Sequence, residues 1–244
     1  MMIVSPKTNS RTIQQFTEFL GAKKGGVDFW HSNFRDAYYF AQIGKVPVHL
    51  LFCGYGEGTA AHAISHGYEM FIRENDACPG VLYFGACFAS ALSDINLGEI
   101  IIPNQSHSDS EITREIQAKS ENVSDDFDPT LTGLLLSSAQ ELNIPHVSGK
   151  ILCKESYERD FWFPFASEWG PQQGYIAGEV ESAACLAACH ARNISCAAIL
   201  DVKDKLSTTG EYEVRGDEER NKAFANILAV VKRTIDKLNE RQIG

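Results

Sequence analysis

Three short stretches carry residue types that could do chemistry. In Gly178-Glu179-Val180-Glu181-Ser182-Ala183-Ala184 two glutamates stand two residues apart, just ahead of a helix-forming run. Residues i and i+2 of an extended chain share a face, so Glu179 and Glu181 are expected to point the same way. One carboxylate at a helix N-terminus can be a cap. Two on one side can also accept hydrogen bonds as a pair, as the vicinal hydroxyls of a sugar would donate them. In Ala198-Ile199-Leu200-Asp201-Val202-Lys203-Asp204-Lys205 an apolar run ends at Asp204 between two lysines. Asp204 reads as a general acid at the edge of a site or as a solvated Asp–Lys pair. In Gly54-Tyr55-Gly56-Glu57-Gly58 the glycines let the backbone approach a ligand or take positive φ, and a following helix would present free N–H groups. The other reading is a tight strand-to-helix turn. The stretch matches neither a Walker A loop nor a dinucleotide fingerprint. A fourth stretch, 157–169, is dense in aromatics (Tyr157, Phe161, Trp162, Phe163, Phe165, Trp169). It suits a core, a subunit interface, or a flat face on which a base stacks, worth about 1–3 kcal/mol per base.

The elements that must position these residues alternate. Strands are expected at 3–4, 46–53, 81–84, 99–103, 147–153, 175–181 and 196–202. Helices are expected at 12–20, 60–74, 130–142, 182–192 and 219–241, and the polar stretches 106–128 and 205–218 read as excursions. Apolar runs of four to eight residues alternating with helices predict an α/β fold, a mostly parallel central sheet flanked by helices. In such folds ligands sit beyond the carboxyl ends of the strands, where the three stretches fall. The 244 residues fit a single domain, 1–244.

Composition narrows the function. There are 22 Lys and Arg against 32 Asp and Glu, a formal net charge of −10. That opposes broad nucleic-acid binding, which needs a basic face, but allows a local basic pocket for a small anion. No apolar run reaches the length that spans a bilayer, and the N-terminal residues lack the pattern of a secretory leader. Seven scattered cysteines, an odd number, read as reduced thiols of a cytoplasmic protein. Cys185, Cys189 and His190 could be imagined as zinc ligands, but in a run of small residues the cysteines read as packing. No metal and no cofactor is expected.

The strand ends, in this order, resemble the purine nucleoside phosphorylase / uridine phosphorylase superfamily, with its nucleosidase members, over about residues 3–238. Gly178 to Ala184 looks like the family's Glu-Met-Glu-(Ser/Ala)-Ala. The run 199–204 is similar to its strand ending in Val-Ser-Asp. Tyr83-Phe84-Gly85-Ala86-Cys87-Phe88, with 94–103 behind it, looks like its Gly-Ser/Thr-Ala/Cys-Gly-Gly and Gly-Asp-Val-Val strands. Asn33-Phe34-Arg35 resembles the segment that, in hexameric phosphorylases, sends an Arg into a neighbouring subunit's phosphate site. The resemblance implies cleavage of the N-glycosidic bond of a nucleoside, with a purine favoured. Glu181 would bind the ribose 2′- and 3′-hydroxyls, Val180 would pack under the sugar, and Glu179 would lie near base or sugar. Asp204 would protonate the leaving ring nitrogen. Tyr157 would stack on the base, and Cys87 and Phe88 would border it. The resemblance also implies a homo-oligomer, dimer or hexamer, with a small-molecule nucleoside as its only other partner.

Departures leave the acceptor open. The family's phosphate loop, Gly-Asp-Pro-x-Arg, is replaced by Ser5-Pro6-Lys7-Thr8-Asn9-Ser10-Arg11; Tyr83 stands for its phosphate-binding Arg and Ala86 for its Ser or Thr. Lys7, Arg11, Arg35 and Gly56 remain as candidate phosphate-binding residues, inorganic phosphate being the possible co-substrate. The missing donors favour hydrolysis, yet the Glu with which adenosine-type nucleosidases activate water is missing too, and Glu57 is the candidate replacement. Val202 to Leu206 also resembles a segment of AMP-nucleosidase-like members, in which Lys7, Arg11 or Lys203 would hold a 5′-phosphate. A nucleoside- or nucleotide-binding or storage protein of the same fold, without turnover, is the alternative. An unrelated α/β protein with structural acids is the third reading.

Overall fold

The computed structural model describes residues 1–6, 10–24, 38–74, 78–90, 92–108, 110–120, 124–154, 159–206 and 211–241. The chain opens with β1 (Met2–Ser5), α1 (Ser10–Leu20), β2 (Lys23–Lys24), β3 (Tyr38–Ile43), β4 (Val46–Phe52) and α2 (Glu57–Glu74). Then come β5 (Val81–Ala89), β6 (Ile100–Ile101), β7 (Gln105–His107), α3 (Glu111–Gln117), α4 (Pro129–Glu141), β8 (His146–Val147) and β9 (Lys150–Cys153). α5 (Arg159–Pro164) passes through a π-helical stretch (Phe165–Trp169) into α6 (Gly170–Gln172). β10 (Tyr175–Glu179), α7 (Ser182–His190), β11 (Cys196–Leu206), β12 (Tyr212–Val214) and α8 (Asp217–Arg241) complete it.

All these strands join one sheet. Its centre is parallel: β1 lies between β4 and β5, and β11 runs beside β5. β10 meets β5 antiparallel and β9 parallel, and the margins at β3, β6 and β12 are antiparallel. The expected α/β sheet flanked by helices is therefore the one observed, parallel at its centre with antiparallel strands around it. Central strands covered on both faces read as continuous apolar runs, as β4 and β11 do. In β11, Ala198, Leu200 and Val202 enter one core with Ile64 of α2 and Leu186 of α7. Ala197 and Ile199 enter the other, with Phe16 of α1, Leu135 of α4 and Ile227 of α8. Cys185 and Cys189 of α7 are fully buried core residues. α8 buries Phe224, Ile227, Leu228, Val231 and Ile235 at helical spacing.

Three differences from the sequence reading bear on the site. The stretch 106–128 holds β7 and the short helix α3, started by Ser110, whose side chain accepts from the Thr113 N–H. The strand read as 175–181 ends at Glu179, and Glu181 is the N-cap of α7 (φ −124°, ψ −21°). β11 continues to Leu206 and turns back as β12, with Asp204 opposite Val214. Against β5 the register of β11 skips Lys203: Val202 pairs with Cys87 and Asp204 with Phe88. Such a bulge re-aims the chain where it occurs, and here it brings Asp204 rather than Lys203 beside Phe88.

Candidate active site

A cavity of about 550 Å³ lies beyond the carboxyl ends of β1, β5, β10 and β11, with α1 and α8 on its rim. Glu179, Val180 and Glu181 line one side, and Cys87, Phe88 and Trp162 line its floor. Asp201, Lys203, Asp204, Arg215 and Arg220 line the other side, and Arg11 approaches from α1.

The glutamate side is held from within the protein. Glu181 is buried; its Oε1 accepts from the Gly56 N–H (3.0 Å) and its Oε2 from the Tyr83 hydroxyl (2.9 Å). The glycine-rich turn fits this task, because Gly56 takes φ +104°, which a side chain would oppose. Its amide points at a carboxylate. Glu179 receives the N–H of Glu181 (2.8 Å), the N–H of Ser182 (3.0 Å) and the hydroxyl of Ser182 (2.6 Å). It therefore serves the first turn of α7, the capping role expected of one of the pair. Burial holds the Glu179 carboxyl above its ordinary range, against the pull of these donors. Burial and the adjacent Glu181 and Glu179 push the Tyr83 phenol well above its ordinary value, so it stays a donor.

The floor is apolar. The Phe88 and Trp162 rings meet edge to face with centroids 4.5 Å apart, a favourable geometry. They close over Gly178, where an added Cβ would come within 2.6 Å of Trp162 and nearer still to Phe88.

The opposite side carries mixed charge. The Asp204 side chain is 22% exposed, with Lys203 Nζ 3.5 Å from its Oδ2. Lys205 turns away and donates to the Ser93 carbonyl (3.0 Å). Asp201 is fully buried in ion-pair contact with Arg215, whose side chain is 4% exposed.

Of the residues singled out in the sequence, Asp204, Glu181, Val180, Glu179, Cys87, Phe88 and Arg11 thus meet around one cavity. Gly56 touches it only through Glu181. Glu57 lies elsewhere, fully buried; it accepts from Ser108 (3.1 Å), Thr113 (2.9 Å) and Ser110, with the Cys153 thiol 3.7 Å away. It does not line the cavity. Tyr157, Arg35 and Lys7 lie outside the described residues. The sequence reading missed Arg215 and Arg220, which fell in a polar stretch and at the start of α8. One signal was available, since Asp201 interrupts an apolar strand, and a buried charge needs a partner.

The chain matches the model of the phosphorylase superfamily over residues 13–236, and it belongs to that family. No curated protein sequence matches it. Among solved structures it is similar to the 5′-methylthioadenosine/S-adenosylhomocysteine nucleosidase of Campylobacter jejuni (TM-score 0.72, 20% identity, 97% of this chain and 98% of that one). It is also similar to the purine nucleoside phosphorylase of Toxoplasma gondii, solved with immucillin-H (0.74, 16%, 99% and 92%). A third is the AMP nucleosidase of Bacteroides thetaiotaomicron (0.72, 14%, 100% and 90%). At these identities the likeness is one of fold.

Proposed function

We propose that the protein cleaves the N-glycosidic bond of a nucleoside, with a purine as the leaving base. The observation that carries this reading is the Glu181 carboxylate, buried at the cavity wall between Gly56 N–H and Tyr83 hydroxyl, with Asp204 lining the same cavity. Glu181 accepts the ribose 2′- and 3′-hydroxyls, Val180 packs beneath the sugar, and Phe88 and Trp162 face the base. As the carbon–nitrogen bond breaks, its electron pair passes to the base and Asp204 delivers a proton to the purine ring nitrogen. The sugar carbon, oxocarbenium-like at that point, is captured by an oxygen nucleophile, either phosphate or a water that gives up a proton to solvent. Hydroxyl contacts that tighten in the transition state lower the barrier, and the proton transfer improves the leaving group. The three similar proteins named above, each named for a purine nucleoside or nucleotide, support the purine preference.

The test is chromatography of free base released from inosine, adenosine, guanosine, uridine, methylthioadenosine and AMP, in phosphate-free buffer and again with phosphate. Purine release in both buffers assigns hydrolysis; release only with phosphate, together with ribose 1-phosphate, assigns phosphorolysis. Saturable nucleoside binding with no base released from any substrate overturns the reading in favour of a binding protein.

A further inference from the structure

Glu57 lies outside the cavity, yet it adjoins Gly56, whose N–H meets Glu181 (3.0 Å). The turn that carries this N–H has little shape of its own. Gly54 and Gly56 take φ of +75° and +104°, and glycine backbone is held to one conformation only by its surroundings. The Tyr55 side chain between them is exposed and anchors nothing by burial. On the helix side, the Gly56 carbonyl accepts from Thr59 (2.8 Å) and Ala60 (3.1 Å), which ties the turn to its own α2. The Glu57 side chain ties it to a distant segment. Its Oε2 accepts from Thr113 (2.9 Å) and from Ser110, and its Oε1 from Ser108 (3.1 Å). Two of these hydroxyls are themselves fixed: Ser110 accepts from the Thr113 N–H (3.1 Å), and Ser108 from the Ser110 N–H (3.1 Å). The same segment reaches the other glutamate, because Ser106 of β7 shares a 2.6 Å hydrogen bond with Ser182, which donates to Glu179. The Cys153 thiol stands 3.7 Å from Glu57. Burial, then the nearby Glu179 and Glu57, hold this thiol well above its ordinary pKa, so it stays protonated. A carboxylate in the first turn of a helix is favoured there even in water, and burying it is costly unless donors are supplied. Here three hydroxyls and a thiol converge on the one residue next to the amide that orients Glu181.

We propose that Glu57 is a positioning residue for the nucleoside site: gripped by Ser108, Ser110 and Thr113, it fixes the glycine-rich turn so that the Gly56 N–H stays on Glu181, and this grip sets how well the site recognises the ribose 2′-hydroxyl. The inference deepens the reading above and rests on Glu181 being the ribose-binding carboxylate. Glu57 touches no substrate, and no proton moves through it. Its influence travels one residue along the chain to Gly56 and one hydrogen bond to Glu181. Of the donors on Glu181, the Tyr83 hydroxyl comes from a central strand, whereas the Gly56 N–H comes from the turn. A hydrogen bond weakens steeply once its angle is lost, so a small displacement of the turn leaves the carboxylate held from one side and misaligned with the sugar.

The test is the preference of the full chain for adenosine over 2′-deoxyadenosine, measured as the ratio of their kcat/KM values, with adenine affinity measured beside it. In Glu57→Gln the preference should shrink by about three- to tenfold, the usual worth of one hydrogen bond to a charged group, while adenine binds as before. Ser108→Ala and Thr113→Val remove donors from Glu57 without altering it and should move the ratio in the same direction, so the role stays testable where Glu57→Gln does not fold. Asp128→Ala is the comparator: it loses the cap of α4, where the side chain accepts from Leu131 and Ser195, so it lowers stability but should leave the ratio unchanged. An unchanged ratio in the folded Glu57, Ser108 and Thr113 variants overturns the positioning role, as does an equal shift in Asp128→Ala. A wild type with no preference for the 2′-hydroxyl overturns it as well. The two readings fail separately. Adenosine cleavage with an unchanged ratio removes only the positioning role. If the wild type binds both nucleosides without releasing base, the ratio is taken from calorimetric affinities, and its loss in Glu57→Gln upholds the role while the cleavage reaction falls.

Discussion

On one side of the cavity Glu179 and Glu181 are buried, and donors from Gly56, Tyr83, Ser182 and the backbone reach their oxygens. On the other side the Arg215 side chain is buried almost as deeply, yet among the described residues its side-chain partner is Asp201 and its Nε has no acceptor. The first arrangement is complete before any ligand arrives. It fixes the carboxylate that the sugar hydroxyls would meet, and preorganised groups of this kind need no reorganisation during the reaction. The second is a buried ion pair carried at a cost in stability, since such a pair seldom repays its desolvation unless further hydrogen bonds complete it. One wall is completed by the protein's own hydrogen bonds, and the other rests on a single ion pair.

The largest effect should come from Asp204, which belongs to neither extreme. Asp204→Asn is expected to slow purine release by about 10²–10⁴-fold, the usual contribution of one general acid. An unchanged rate in single-turnover assays would remove Asp204 from the chemistry. Next is Glu57, satisfied like Glu181 but outside the cavity. Glu57→Ala leaves the Ser108, Ser110 and Thr113 hydroxyls around an empty space, at a cost of about 3 kcal/mol or more. Urea unfolding should register that loss, while base release should fall far less than in Asp204→Asn. The reverse pattern would return Glu57 to a catalytic role. Tyr83→Phe tests the preorganised wall directly. It removes one hydroxyl from a buried carboxylate, worth about 1–2 kcal/mol, and should weaken nucleoside binding while leaving free-base binding alone. Equal loss for both would mean that Tyr83 does not position Glu181.

The smallest effect concerns pH. The Glu179 pKa in the folded protein is raised from the ordinary 4.5, so above that value the folded state holds its proton more tightly than the unfolded chain. Stability from this group is then present at low pH and lost as pH rises. As pH falls toward 4.5 the melting temperature of the wild type should therefore gain on that of Glu179→Gln. A constant difference across that range would contradict the burial assigned to this carboxyl.

The sequence made the parallel centre of the sheet legible, because β4, β5 and β11 are apolar runs and burial on both faces demands that pattern. It also brought Glu181 and Asp204 to the same end of the sheet, although Glu181 stands past β10 as a helix cap and Asp204 lies inside β11. The short strands β2 and β7 were not legible: they have two and three residues, too few to carry a period. The convergence of Tyr83 on Glu181 was hidden for another reason. The partners lie 98 residues apart, and only strand order brings β5 beside β10. Glu57 misled because a carboxylate in a glycine-rich turn looks the same whether its neighbours are solvent or three hydroxyls at the start of α3, more than fifty residues on. Arg215 and Asp201 became a pair only through the hairpin of β11 and β12, which the polar stretch 205–218 did not announce.

The closure of Phe88 and Trp162 over Gly178 has a consequence for the routes by which this site can diverge. A side chain at position 178 requires the Phe88 and Trp162 rings to shift or be replaced by smaller residues. Positions this close do not vary additively. Changes that enlarge or reshape this floor are therefore coupled across residues 88, 162 and 178.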